Sequence, residues 1–101
     1  MAAAPRLELD AYVVDVLLPD LVGHDRRPSA FLVYLYLWRH AADQRRGAEA
    51  SLRAIAEGTG LSKRGVQEAI ARLERRKLVL VERRGPTAVP LYTVLRPWVR
   101  K

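Results

Sequence analysis

The chain contains no cysteine. A disulfide, a thiolate metal site and a thiol nucleophile are therefore excluded, and a reducing cytoplasm suits such a composition. Long apolar runs are also lacking. The longest, Ala30–Trp38, has nine residues, far short of the ~20 needed to cross a bilayer. No signal-peptide core is expected: Met1–Pro5 is small and apolar, but Arg6, Glu8 and Asp10 follow at once. There is no phosphate loop, no nucleophile elbow and no candidate triad. Asp10, Asp15 and Asp20, five apart, do not share a face of an α-helix, which argues against a carboxylate pair for acid/base work. His24 stands beside Asp25 in a loop-like stretch, with no second ligand at a recognisable spacing. The expectation is a protein that is not an enzyme, with no cofactor, no metal site and no evident small-molecule ligand.

What the chain does hold is basic charge, unevenly placed. Its 101 residues carry a formal net charge of +7. Residues 60–101 have eleven Lys/Arg against three Asp/Glu, and residues 1–59 have seven against eight. The whole excess lies in the C-terminal part, where a polyanionic partner is its simplest explanation. Half of the residues are hydrophobic, enough for one globular domain over 1–101 but not for a second, ligand-sensing one.

Residues 1–28 form an N-terminal extension. Leu9, Tyr12, Val13, Val16 and Leu17 recur at three and four, which predicts a short helix over 7–18 ended by Pro19, or else an extended segment. Residues 19–28 read as a loop. A three-helix core follows over 29–77. Its first helix, 29–42, enters through Pro28 with Ser29 near the cap. Residues 30–38 are apolar around the whole circumference, so this helix should be central and covered on both sides. Gly47 reads as the stop of that region. Ser51 caps a helix over 52–57, Gly58-Thr59-Gly60 makes a turn, and Ser62 caps a third helix over 63–77. On that third helix Val66, Ile70 and Leu73 fall on one face with the stem of Lys77 beside them. Arg64, Glu68, Ala71 and Arg75 fall on the other. Two β-branched runs, 78–83 and 88–95, flank Arg84-Gly85-Pro86-Thr87 and predict a hairpin over 78–95, with Pro90 at an edge or a strand start. The tail 96–101 offers Trp98 as an anchor.

The helix-turn-helix at 51–77 is the arrangement that presents one helix to a major groove of DNA. With the helix before it and the hairpin after it, the fold class is α+β, mainly α: a winged helix-turn-helix. Ser51, Leu52, Ile55, Ala56, Thr59, Gly60, Leu61, Ser62, Val66, Ile70, Leu73, Leu78 and Val79 carry a pattern that resembles bacterial winged helix-turn-helix transcription regulators, broadly of MarR-like and GntR-like type. Two positions depart from that family. Gly65 stands where a hydroxyl residue is common, and the wing is short.

Such a protein needs contacts that fix it on phosphates and contacts that read bases. Ser51 and Ser62, at helix N-termini, and Arg53, Lys63 and Arg72 suit phosphates. Arg64 suits guanine and Gln67 adenine, while Glu68 suits cytosine or pairs with a neighbouring arginine. Arg83, Arg84 and Thr87 are the wing's contacts. The expected function is sequence-specific binding of double-stranded DNA by a small transcriptional regulator, cytoplasmic and nucleoid-associated. It is expected to be a homodimer through 7–18 and 30–38, without membrane contact. The alternatives are a winged-helix protein-interaction module and a replication or partition accessory protein.

Overall fold

Val13, Leu17 and Leu21 lie four apart, and the chain winds all three onto one buried face. The computed structural model describes residues 4–42 and 47–99. Its first regular elements are two consecutive π-helical segments, Val13–Leu17 and Pro19–His24, joined through Leu18 in helical geometry. The N–H of Leu18 donates to Val13 C=O, and that of Asp25 donates to Asp20 C=O at 2.8 Å. The helix expected over 7–18 is therefore misplaced at both ends. Residues 7–10 are not helical, and Pro19 does not end the winding. Proline sits at the first position of the second segment, where its missing N–H costs little, and the wider turn carries the ring clear of the preceding carbonyl. The loop expected over 19–28 shrinks accordingly. Arg26 adopts φ 54°, and Arg27 N–H closes the end onto Leu21 C=O at 2.8 Å.

Helix α1 spans Pro28–Ala41, with Pro28 in the first turn and Arg27, not Ser29, at the cap position. Its sleeve is used within the chain. Ala30, Phe31, Val33, Tyr34 and Leu37 are buried, between the π-helical segments on one side and the second half of the fold on the other. Residues 43–46, the polar connection, lie outside the described residues. Gly47 is not a helix stop; it opens a strand that the sequence pattern did not reveal, β1 (Ala48–Glu49). Its φ of 112° and a would-be Cβ only 2.3 Å from Tyr92 C=O require glycine there.

Helix α2 runs Leu52–Thr59 and α3 runs Lys63–Arg75. Gly58 and Thr59, expected in the turn, finish α2 instead, and Gly60 (φ 80°) alone provides the left-handed residue. Helix α3 stops two residues short of the expected end. Lys77 adopts φ 56°, with its N–H on Glu74 C=O (3.0 Å) and that of Leu78 on Leu73 C=O (2.9 Å). This paired closure satisfies the last carbonyls without a glycine. It also turns Lys77 out into solvent, so its stem does not extend the apolar stripe.

Strands β2 (Val79–Glu82) and β3 (Leu91–Val94) form the expected antiparallel hairpin, with Val79 opposite Val94 and Glu82 opposite Leu91. Because β1 pairs with the far side of β3, the sheet order is β1-β3-β2. Pro90 stands just before β3, and its C=O accepts the Ala50 N–H at 3.3 Å. The tail is anchored as expected. Trp98 stacks on Tyr12 at 4.6 Å, and its indole N–H donates to Asp10 at 2.9 Å. Arg96 holds the same carboxylate at 2.7 Å. The Trp98 and Arg96 hydrogen bonds keep the Asp10 carboxyl below the usual carboxylate range. Trp38 N–H donates to Glu8 C=O and Tyr34 O–H to Leu95 C=O, each at 2.8 Å. Burial raises the Tyr34 hydroxyl's pKa, so it stays a donor. Both ends of the described chain are thus tied to α1. The architecture, helices with a small three-stranded antiparallel sheet, is an α+β winged helix-turn-helix.

Candidate nucleic-acid interface

Two serines set the geometry of the interface. Ser51 and Ser62 both take extended backbone angles, and each hydroxyl accepts the N–H three residues on, from Ala54 and Gly65, at 3.0 Å. Each hydroxyl spends a lone pair on its cap and keeps its hydrogen for another acceptor. Between the helices, the Thr59 hydroxyl donates to Ile55 C=O (2.7 Å) and accepts Leu61 N–H (3.3 Å), which holds the turn in one shape.

Helix α3 packs Val66, Ala69, Ile70 and Leu73 into the core, mainly against α1. The remaining positions form an outward ridge of Arg64, Glu68, Ala71 and Arg75, all exposed. One edge faces the wing. A groove of about 420 Å³ there joins Ser51, Arg53, Lys63, Arg83 and Thr87. Gln67, on the same edge, borders a smaller cleft of about 230 Å³ toward Arg83 and Tyr92. The other edge carries Arg72, which shares a cleft of about 300 Å³ with Arg75, Glu68 and Arg27.

Several of the expected contact residues are held in ion pairs. Arg53 meets Glu57 at 3.1 Å and Arg64 meets Glu68 at 3.2 Å, each across one helical turn. Arg83 meets Glu74 at 3.2 Å. Arg84 is turned toward Glu49 and Glu82, 3.5 Å from each, and does not line the wing-side groove. Exposed pairs of this kind are worth ~0–1 kcal/mol, so a phosphate or a base edge displaces them readily. Among the described residues, Lys63, Arg72, Arg75 and Arg27 have no carboxylate within ion-pair distance.

Asp20 and Asp25 meet behind this surface. The Arg76 guanidinium donates to both Asp25 oxygens, at 2.9 and 3.0 Å, and to Asp20. His24 Nδ1 lies 3.1 Å from Asp25. Burial acts to raise the Asp25 pKa, but the hydrogen bond from His24 and the charges of Arg76 and Arg72 outweigh it and hold the carboxyl low. The ligand atoms of Asp20, His24 and Asp25 lie within 4.8 Å of one another, a grouping hidden while 19–24 was read as a loop. Arg76 already bonds both carboxylates, which makes the cluster an ion-pair anchor between the N-terminal segment and the end of α3.

Sequence reasoning did not single out Arg27 and Arg75, which line the cleft beside α3. Arg75 already lay on the outward face by spacing. Arg27 gave no signal, because only the tertiary fold brings the start of α1 to the flank of α3. No helix among the described residues is long and apolar enough to cross a membrane.

A model of the helix-turn-helix domain family matches residues 27–79. That span covers α1, the turn-linked pair α2 and α3, and the start of the hairpin. No curated protein and no solved structure matches the chain. The matched span is 53 of 101 residues, and it contains the capped helix pair described above. The chain belongs to the helix-turn-helix domain family, whose fold points to DNA as the partner.

Proposed function

We propose that this protein binds double-stranded DNA in a sequence-specific manner as a small dimeric transcriptional regulator of the broadly MarR-like and GntR-like type. One observation carries the reading. The ridge of α3, from Lys63 to Arg75, is polar, exposed and uncovered by any other part of the described chain. In the major groove, Arg64 leaves Glu68 to engage guanine O6 and N7, and Gln67 addresses adenine. Glu68, once released, accepts from a cytosine amino group. Lys63, Arg53 and Arg72, with the Ser51 and Ser62 hydroxyls, bind phosphate oxygens. Arg83 and Thr87 hold the backbone beside the wing. Arg84 joins them only by leaving Glu49 and Glu82.

Dimerisation doubles the few base pairs that one such helix reads. The proposed surface differs in detail from the expected one. Within 30–38 only Leu32 remains well exposed, because its neighbours fill the core. Val14, Leu18 and Val22 form an exposed apolar row four residues apart on the N-terminal segment, a self-complementary surface for a two-fold contact.

Selection of bound duplexes from a random pool tests the function. An enriched, two-fold symmetric motif with half-sites about one helical turn apart supports it. A pool that returns no motif refutes it. Light scattering at micromolar concentration tests assembly, with twice the monomer mass as the expected value.

A further inference from the structure

Arg27, Arg72 and Arg75 converge on one cleft of about 300 Å³ beside α3. Among the described residues Glu68 is the sole carboxylate lining it, and Glu68 is held by Arg64 at 3.2 Å. Asp25 lies close enough for Arg72 to influence its titration, but its carboxylate is bound by Arg76 at 2.9 Å. Three guanidinium groups therefore share a concave surface with no carboxylate within ion-pair distance among the described residues. Like charges gathered this way repel, and an anion between them converts the repulsion into attraction. The cleft is also held in shape. Arg27 is fixed in the backbone by its N–H on Leu21 C=O at 2.8 Å, and Arg72 and Arg75 ride on α3.

The location gives the charge its meaning. The wing-side groove, with Lys63, Arg53 and Arg83, lies along one edge of α3. The arginine cleft lies along the other, with the base-reading ridge between them. A helix lodged in a major groove ≈12 Å wide has a phosphate backbone on each side. We infer that Arg27, Arg72 and Arg75 form a second phosphate-binding cleft, opposite the wing, so that the protein grips both strands bordering the major groove. The inference rests on α3 being the helix that enters DNA. It adds Arg27 and Arg75 to the contact set and makes the partner a duplex, since a single strand supplies only one of the two backbones.

The test uses the full chain and the duplex selected from the random pool. Affinity is measured from 50 to 300 mM salt for the parent, Arg27→Ala/Arg75→Ala, Arg27→Lys/Arg75→Lys and Gln67→Ala. Each phosphate contact contributes about 0.9 to the slope of log affinity against log salt. The alanine pair should flatten the slope by about 1.8 per protomer, and so by about 3.6 for the dimer, the lysine pair should restore it, and Gln67→Ala should change sequence preference with the slope intact. Phosphate-ethylation interference should show the alanine pair losing sites on only one strand of each half-site. An alanine pair with the parent's slope, or parent interference confined to one strand within each half-site, overturns the second cleft and leaves the proposed function standing. A parent that binds no duplex overturns both. All three substituted side chains are exposed, and matching thermal melts confirm that the comparison is between folded proteins.

Discussion

Replacing Arg76 with methionine removes the charge that joins the N-terminal segment to α3 while keeping much of the aliphatic stem in place. In the parent, one guanidinium donates to both oxygens of Asp25 and to Asp20. The Asp25 side chain is 6% exposed, whereas Arg76 is 31% and Asp20 32% exposed. Removing one partner of a fully buried pair costs about 3–5 kcal/mol, because a charge is left stranded. Two of these three groups reach solvent, which screens the loss to about 2 kcal/mol. For a domain of this size that corresponds to a fall in melting temperature of roughly 8–16 °C. Adding Asp25→Asn should return part of it, since the stranded charge is then gone. The pH dependence follows from the direction of the Asp25 shift. Its folded-state pKa lies below the ordinary 3.8. The stability linked to it is complete above that value and drains as pH falls through the lower folded pKa. Thermal unfolding by circular dichroism at pH 7 and pH 3 should show Arg76→Met losing less between the two than the parent does. A variant within 0.5 kcal/mol of the parent at pH 7, or with the parent's full acid loss, refutes the anchor.

Three further outcomes are expected. Gly47→Ala should destabilise by about 2–4 kcal/mol in chemical denaturation, because φ of 112° and the Tyr92 carbonyl both reject a Cβ. Leu18→Asp/Val22→Asp should give a monomer by light scattering with unchanged helicity, since neither side chain belongs to the buried core. Glu68→Gln should tighten binding to random-sequence duplex several-fold and narrow the gap to the selected site, read by competition at 0.15 M salt.

The helix pair and hairpin were legible because their signals are local. Ser51 and Ser62 announce helix starts through their own hydroxyls, and Val66, Ile70 and Leu73 declare a buried face by spacing alone. What escaped depends on partners distant in sequence. Strand β1 is two residues long and is stabilised by Tyr92 and Leu91, so no period within 48–49 could reveal it. The winding through Pro19 escaped because proline is read as a helix stop, and a widened turn removes the clash behind that rule. Lys77 in left-handed geometry was invisible for a similar reason: the closure of α3 is carried by backbone hydrogen bonds, for which any side chain will serve at some cost. The candidate interface followed the same division. Arg64, Gln67 and Glu68 were read from helical spacing, while Arg27 required the fold.

The ion pairs fall into two physical classes, and the division bears on recognition. Arg76 with Asp20 and Asp25 is sheltered and joins segments about fifty residues apart, so it fixes the end of α3 on the domain. Arg64–Glu68 and Arg53–Glu57 are exposed, local and individually weak. In the proposed complex they hold long side chains near the DNA, and releasing them costs little when a phosphate or a base edge offers a better partner. Glu68 has a second effect. On the proposed reading a carboxylate on the ridge repels phosphates of any sequence, so it weakens binding to arbitrary DNA, and a correctly placed cytosine amino group offsets that loss. A uniformly basic ridge would raise affinity for all DNA and so lower the contrast between sites. On the proposed reading the mixed ridge, flanked by edges rich in Arg and Lys, separates the two tasks: the edges supply attraction to any duplex, and the ridge decides which one is kept.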